Sequence, residues 1–329
     1  MEDINYKFFQ FKEKYEQLRQ NVMKVFIGNE EVVRDVIVAF LAGGHVLLEG
    51  VPGLGKTLLV KTIADSLDLT FSRIQFTPDI MPPDILGTNI LMEDEKGHRH
   101  FSFQKGPVFA NLLLADEINR ATPKTQSALL EVMQEHHITI AGQKFIMGEP
   151  FFVLATQNPI EMEGTYPLPE AQLDRFFFKL KVSYPTRDDL KKILDLTESE
   201  SFTVPQVVAA GEIKWLREMP QHILISDELK NVIIQLVMSI HPNSKYGIDV
   251  VNKYVRYGPS PRGAQSVFKA AKILALINGR YNVAQEDVRE AVYPALRHRI
   301  LLNFCGEAEH VDTDTIIDAA MRKLWWETK

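Results

Sequence analysis

The stretch from His45 to Leu67 constrains the fold more than any other part of the 329-residue chain. His45-Val-Leu-Leu-Glu49 is a short apolar run, Gly50-Val-Pro-Gly-Leu-Gly-Lys-Thr57 follows it, and residues 56–67 have helical spacing. A strand, a glycine loop and a helix in that order are the confirming context for the pattern G-x-x-x-x-G-K-[ST]. The glycines let backbone N–H groups turn inward around phosphate oxygens, and the helix N-terminus adds the positive end of its dipole. Gly50, Pro52, Gly53, Leu54, Gly55, Lys56, Thr57 and Leu58 are therefore expected at a nucleotide. Lys56 would reach the β- and γ-phosphates and Thr57 would ligate Mg²⁺. The competing reading, a glycine turn with a chance Gly-Lys-Thr, has both flanking elements against it.

Further strand candidates lie at 72–76, 112–115, 151–155 and 176–182, with helical stretches between them, notably 122–135. Near-continuous apolar strands alternating with helices predict an α/β fold, a parallel sheet covered on both faces. Residues 88–103, around the polar tip Glu93-Asp-Glu-Lys-Gly97, and 138–147, turning at Ala141-Gly142-Gln143, read as two inserted β-hairpins. Ahead of the sheet, 6–26 is helical, Ile27-Gly28 breaks the pattern, and 30–41 is an amphipathic helix ended by Gly43-Gly44. After Tyr184-Pro185 the grammar changes. Segments 188–200, 212–218, 227–241, 262–279 and 285–299 all look helical, which predicts an all-helical second domain. The expected division is an N-terminal helical extension over 1–20, a nucleotide-binding core over 21–184 and the helical domain over 185–329.

Charge bears on partners. The chain carries 37 basic and 43 acidic side chains, a formal net charge of −6. That balance argues against a surface built to grip nucleic-acid phosphates, though it leaves room for a local basic channel. A single cysteine, Cys305, excludes an intramolecular disulfide framework and fits a reducing compartment. Residues 1–14 lack a secretory apolar region, and the most apolar stretch, 37–48, is too short for a bilayer span. A cytoplasmic protein without a membrane segment is expected.

Leu112-Leu-Leu-Ala-Asp116-Glu117 is an apolar strand ending in two acids. In an open α/β sheet, ligands lie beyond the carboxyl ends of the strands. Asp116 would hold Mg²⁺, and Glu117 would polarise the water that attacks the γ-phosphorus. Many proteins with this loop lack the second acid, so Glu117 points to hydrolysis. Asn158, at the end of another buried strand, could hydrogen-bond that water and the γ-phosphate, or simply form the turn before Pro159. Arg175 in Leu173-Asp-Arg-Phe and Arg262 in Ser260-Pro-Arg-Gly-Ala264 would, in isolation, be ordinary surface arginines.

Together these elements resemble an AAA+ ATPase, and more specifically the MoxR family. The matching segments are 47–57, Gln75-Phe-Thr-Pro-Asp79, Pro83-Asp-Ile-Leu-Gly87, Ala115-Asp-Glu-Ile-Asn-Arg-Ala121 and Thr156-Gln-Asn-Pro159. To these are added Glu163-Gly-Thr-Tyr-Pro-Leu-Pro-Glu-Ala-Gln-Leu-Asp-Arg-Phe176, Ser260-Pro-Arg-Gly-Ala264 and Leu296-Arg-His-Arg299. The resemblance spans roughly residues 20–310. The phosphate loop is common to many NTPases, whereas the 163–176 match is much more specific. Gly55 stands where many relatives carry alanine.

The resemblance implies a P-loop sheet of order 5-1-4-3-2, a helical lid, and a homo-oligomeric ring, usually hexameric, with ATP and Mg²⁺ at subunit interfaces. It puts Asn158 at the sensor-1 position, Arg262 at sensor 2, and Arg175 as an arginine finger acting on the neighbour's nucleotide. Arg120 becomes a second interface candidate, and Ile27-Gly28 the place where adenine packs. The hairpins become the helix-2 insert and the pre-sensor-1 hairpin, which contact substrate. By the same resemblance the activity would be that of a chaperone that remodels, matures or activates a protein complex, in some relatives by metal-cofactor insertion. A protein client and a separate chain with a von Willebrand factor A domain are the implied partners. A nucleic-acid-directed motor of the same clade is the alternative, opposed by the acidic hairpin tip; a non-catalytic ATP-dependent assembly scaffold is another, and requires an idle Glu117. His98, His100, His136 and His137 read as solvated or structural rather than metal ligands, and Trp325-Trp326 as an anchor for the last helix.

Overall fold

The computed structural model describes residues 2–51, 53–93, 95, 97–158, 164–197 and 204–326, apart from the side chains of Glu2, Asp3, Thr197, Trp325 and Trp326. Pro52, Asp94 and Lys96 of the hairpin tip, Pro159, Glu163, residues 198–200 of an expected helix and the Trp325-Trp326 side chains therefore lie outside the described residues.

The strands are β1 (Val46–Glu49), β2 (Phe71–Gln75), β3 (Gly87–Glu93), β4 (Arg99–Lys105), β5 (Leu112–Asp116), β6 (His137–Ile140), β7 (Gln143–Ile146), β8 (Phe152–Gln157), β9 (Phe178–Lys181), β10 (Val255–Tyr257) and β11 (Leu301–Leu302). The central sheet runs β2-β5-β8-β1-β9, all parallel. Counted as core strands, that is the expected order 5-1-4-3-2 read from the other edge.

Side chains alternate across this sheet with the period of two that a strand imposes. Val46 and Leu48 join Leu112, Leu114, Phe152 and Leu154 on one face, while Leu47 joins Leu113 and Val153 on the other. Both faces are covered by helices, which is why the strands read as unbroken apolar runs. The first face packs on helices Glu2–Val25, Glu30–Leu41 and Lys56–Ser66, and the same apolar cluster continues into lid helices Pro261–Ile277 and Gln285–Leu296. Helix Glu2–Val25 runs without a break across residue 20, burying Phe11, Tyr15, Leu18 and Val22 along one stripe. Gly44 does more than end a helix. A Cβ there would lie 2.3 Å from the Phe177 Cβ, so only glycine lets the chain enter β1 beside β9.

The two expected hairpins are β3–β4 and β6–β7. Leu91 sits opposite Phe101 on the first, and both are exposed, by 56% and 75%. The rings of Phe103 and Phe145 join the two hairpins at 4.1 Å between centroids.

The lid is helical, with one correction to the all-helical expectation: β10 and β11 pair antiparallel. Three and two residues are too few to show a strand period, which is why the sequence pattern missed them. The helix expected over 285–299 ends at Leu296, and Arg297–Arg299 form a 3-10 turn.

His45 pins β1 in place. Its Nδ1 accepts the Val153 N–H at 3.0 Å and its Nε2 donates to the Met133 carbonyl at 3.0 Å, which requires the neutral ring. Burial pushes its imidazole down to about 4. The unfolded chain, titrating near 6.5, takes up a proton that the fold excludes, so this contribution is complete above about pH 6.5 and is lost as pH falls toward 4. Asp35, pushed up to about 6 by burial, works with the opposite sign below pH 6. The test is therefore a comparison of slopes. Between pH 6.5 and 5, urea unfolding should lose about 2 kcal/mol more in the parent than in His45→Gln. Parallel slopes would refute the assignment.

Candidate active site at the carboxyl ends of the sheet

The ends of β1, β2, β5 and β8 open onto one cleft of about 330 Å³, lined by Gly53, Leu54, Gly55, Lys56, Thr57, Leu58, Arg73, Gln75, Asp116, Glu117 and Asn158. The loop after β1 gets its shape from Gly53 and Gly55, at φ 85° and 76°. A Cβ on Gly53 would meet only open space, so backbone rather than side chain faces the cleft there. Helix Lys56–Ser66 starts at Gly55 with no side-chain cap, leaving its first N–H groups for a ligand. Lys56 is buried and donates to the Gly50 carbonyl at 2.7 Å. Burial lowers its pKa below the usual lysine value, while Asp116 and Glu117 pull it back up. The Gly50 N–H is itself tied to the Gln157 carbonyl at 3.3 Å.

Thr156, fully buried on β8, organises both acids. Its hydroxyl donates to Asp116 Oδ1 at 2.7 Å and accepts the Glu117 N–H at 2.9 Å. Glu117 sits in the left-handed region at φ 57°, ψ 48°, a conformation that costs a non-glycine residue about 1–3 kcal/mol. That bend turns it out of the strand, and Arg120 Nη1 holds its carboxylate at 2.9 Å. Arg120, expected at an interface, thus contacts the glutamate of its own chain. Asn158 is buried at the rim of the same cleft.

Two contributors were not read from the sequence as site residues. Arg73 donates to Asp116 Oδ2 through Nη2 at 2.7 Å and Nε at 3.2 Å, and to Gln75 Oε1 at 2.5 Å. Thr156 was visible only as part of a motif. The usable signal for Arg73 is its place, with Gln75, among the final residues of a strand whose neighbour ends in Asp116.

The remaining expected residues are not among these lining groups. Gly28, at φ 77°, approaches the first lid helix: a Cβ there would lie 3.2 Å from Asp189 Oδ2. Next to Ile27-Gly28, Asn29 exchanges hydrogen bonds with Ser183, so this turn is tied to the segment that leads from β9 to the lid helix Arg187–Thr197. Arg262 Nη1 lies 3.8 Å from Asp174 Oδ2, and Arg175 Nη1 donates to the Leu130 carbonyl at 2.9 Å. His136 Nδ1 lies 3.2 Å from Glu149 Oε1, and His137 Nδ1 donates to the Glu135 carbonyl.

The donor set fits a phosphate chain: glycine-shaped backbone, an uncapped helix start and a buried lysine converge on one cleft. Thr57 and Asp116 are the residues that would hold Mg²⁺, which commonly takes one or two carboxylates and completes its shell with phosphate and water. Among the described residues, no cluster of three or more His, Cys, Asp or Glu forms a protein-only metal site. A second cleft, of about 480 Å³, lies between helix Glu30–Leu41 and the lid. Its Arg34 is paired with Asp35 and Glu290 and its Arg297 with Asp314, so it serves as a braced joint rather than a phosphate cradle.

Residues 45–178 match the ATPase family associated with various cellular activities (AAA), and residues 249–320 match the AAA lid domain. The chain is similar to the chaperone MoxR1 of Mycobacterium tuberculosis, 42% identical over 303 residues, covering 92% of this chain and 80% of that one. It is 39% identical over 306 residues to the uncharacterized protein YeaC of Bacillus subtilis, covering 92% and 91%. A crystal structure of a candidate ATPase from Cytophaga hutchinsonii superposes with a TM-score of 0.91 at 41% identity, over 98% of this chain and 97% of that one. The sheet order, the helical lid and this identity across most of both chains agree: the chain belongs to the MoxR family of AAA+ ATPases.

Proposed function

We propose that this protein hydrolyses ATP with Mg²⁺ in a homo-oligomeric ring, six subunits by family expectation, and uses the cycle to remodel, mature or activate a protein complex. The observation that carries this reading is the Asp116–Thr156–Glu117 unit facing the phosphate loop across one cleft. ATP would supply the reactive phosphoanhydride, and Mg²⁺ would supply positive charge to offset its phosphates. The protein's part is positioning and electrostatics.

In this reading the loop amides and Lys56 bind the phosphates, and Thr57 and Asp116 hold the metal. Arg73 shares the Asp116 carboxylate and limits its charge. Glu117 takes a proton from the attacking water at its carboxylate, and Asn158 orients that water. Ile27-Gly28 borders the adenine. Residues 21–184 act as the core and 185–329 as the lid, with the helix from Glu2 packed against both.

A protein client fits the hairpins better than nucleic acid does. Their exposed side chains include the apolar Leu91, Phe101 and Ile146, and Arg99 is paired with Glu93. The MoxR1 relative is named a chaperone. Metal-cofactor insertion is one form such maturation takes in the family, and a separate chain with a von Willebrand factor A domain is the proposed partner. The proposed location is cytoplasmic. Among the described residues, no helix is long and apolar enough to cross a membrane.

The test is a steady-state ATPase assay across protein concentration. Turnover per subunit should rise as subunits associate, and double-stranded DNA should not stimulate it. Salt-sensitive DNA stimulation would turn the assignment to a nucleic-acid motor. Lys56→Ala should lose ATP binding measured by calorimetry, because each charge-assisted phosphate contact it removes is worth at least roughly tenfold. Retained affinity would displace the nucleotide from this loop.

A further inference from the structure

Each acid of the cleft is held by an arginine of its own chain. Arg73 Nη2 and Nε donate to Asp116 Oδ2 at 2.7 and 3.2 Å, and Arg120 Nη1 donates to Glu117 Oε2 at 2.9 Å. The other oxygen of Asp116 accepts the Thr156 hydroxyl at 2.7 Å. Both oxygens of the carboxylate expected to hold a metal thus already accept a donor, and one of these donors is a cation.

Strand pairing puts Arg73 there. Gln75 stands opposite Asp116 in the β2–β5 register and Arg73 two residues earlier, so both side chains leave β2 on the same face. Gln75 Oε1 accepts a further bond from Arg73 Nη2 at 2.5 Å and aligns the guanidinium on Oδ2. The arginine side chain is 45% exposed and the aspartate 16%, so the pair sits at the mouth of the cleft with its acid inward. Charge points the same way. Among the groups lining the cleft, Lys56 and Arg73 balance Asp116 and Glu117, and Arg120 leaves one positive charge over. Two adjacent carboxylates by themselves would attract a hard dication. Two carboxylates each carrying a guanidinium attract a polyanion instead.

We propose that Arg73 is a positioning residue that withholds Asp116 from free divalent cations, so that this acid is open to a metal only alongside the nucleotide. In nucleotide-free protein the guanidinium covers the oxygen that a cation or its bound water needs. Its charge, one hydrogen bond from that oxygen, opposes a dication at close range. The phosphates of ATP bring anionic oxygens into the same cleft that Arg73 lines, and their charge offsets that of the arginine. Thr156 has no such effect, because its hydroxyl orients Asp116 without carrying charge. This inference rests on the proposed role of Asp116 as a metal ligand.

The test is Mn²⁺ binding to the nucleotide-free full-length protein, with the free aquo ion counted by electron paramagnetic resonance. Mn²⁺ stands in for Mg²⁺ as a cation that takes six oxygen ligands. Arg73→Met should bind Mn²⁺ at least about tenfold more tightly than the parent, because a unit charge next to the binding oxygen is gone. Arg73→Lys keeps the charge without the fork, and its affinity should fall closer to the parent's than to that of Arg73→Met. Adding Asp116→Asn to Arg73→Met should abolish the gain. A smaller gain in Arg73→Met, an equal gain in Arg73→Lys, or a gain that survives Asp116→Asn overturns the proposal. If Arg73→Met does not fold, Arg73→Gln is judged by the same titration. Calorimetry of ATP binding with Mg²⁺ and with excess chelator tests the basis separately. If Asp116→Asn keeps the parent's Mg²⁺-dependent gain in ATP affinity, the assignment of Asp116 to the metal fails. Loss of that gain, with Mn²⁺ binding unchanged in Arg73→Met, defeats only the role of Arg73.

Discussion

Glu117→Gln is expected to bind ATP with near-native affinity and to turn it over about 10²- to 10⁴-fold more slowly, the usual contribution of a positioned general base. The substitution is narrow. Glutamine keeps the length of the side chain, and the main chain at 117 is fixed by the Thr156 hydroxyl rather than by the carboxylate. Phosphate binding depends on Lys56 and the loop amides, which the change does not touch. What glutamine cannot do is accept the water proton. The left-handed backbone at 117 supports the assignment, because strain of this size persists only where the surroundings impose it. Binding and turnover are read separately, by calorimetry and phosphate release. Turnover within a few-fold of the parent would leave Glu117 idle and favour the assembly scaffold. If turnover falls, the ATP-loaded variant becomes a trap in which a client should co-purify.

The parts of this site that could be read from the sequence are those whose chemistry is local along the chain. Eight consecutive residues make the phosphate loop, and the strand before it and the helix after it can be recognised from a dozen more. The pair Asp116-Glu117 is legible for the same reason. Thr156 and Arg73 are not, because the groups they position lie 39 to 43 residues away in sequence, and only the parallel pairing of β2, β5 and β8 brings them together. The order of the strands followed from the family resemblance, since apolar runs do not state their neighbours. Nothing in the spacing marked residue 20 as a boundary, and helix Glu2–Val25 crosses it with Leu18 and Val22 in one core. Arg175 and Arg262 read as surface arginines until the family pattern gave them roles. Their resting contacts, Leu130 and Asp174, belong to tertiary structure alone.

Arg175→Ala is expected to leave ATP binding intact and to lower turnover by about 10³- to 10⁵-fold, the range seen when an arginine finger is absent from related phosphoryl transfer. Arg175 is not among the residues lining the cleft of its own chain, where Lys56 and Arg73 are the cations. Its turn is fixed at the outer end of β9 by the lid, and its guanidinium rests on Leu130 of the helix Pro123–Glu135. A cation held there is suited to a head-to-tail contact, in which one subunit's surface completes the next subunit's site. Mixing two inactive proteins tests this directly. Arg175→Ala subunits keep Glu117, and Glu117→Gln subunits keep the arginine. Where the second stands next to the first in the right order, one complete site forms, so a random equimolar ring should regain activity at about a quarter of its interfaces. An arginine acting within its own chain predicts no recovery at any mixing ratio, because neither subunit then holds both groups.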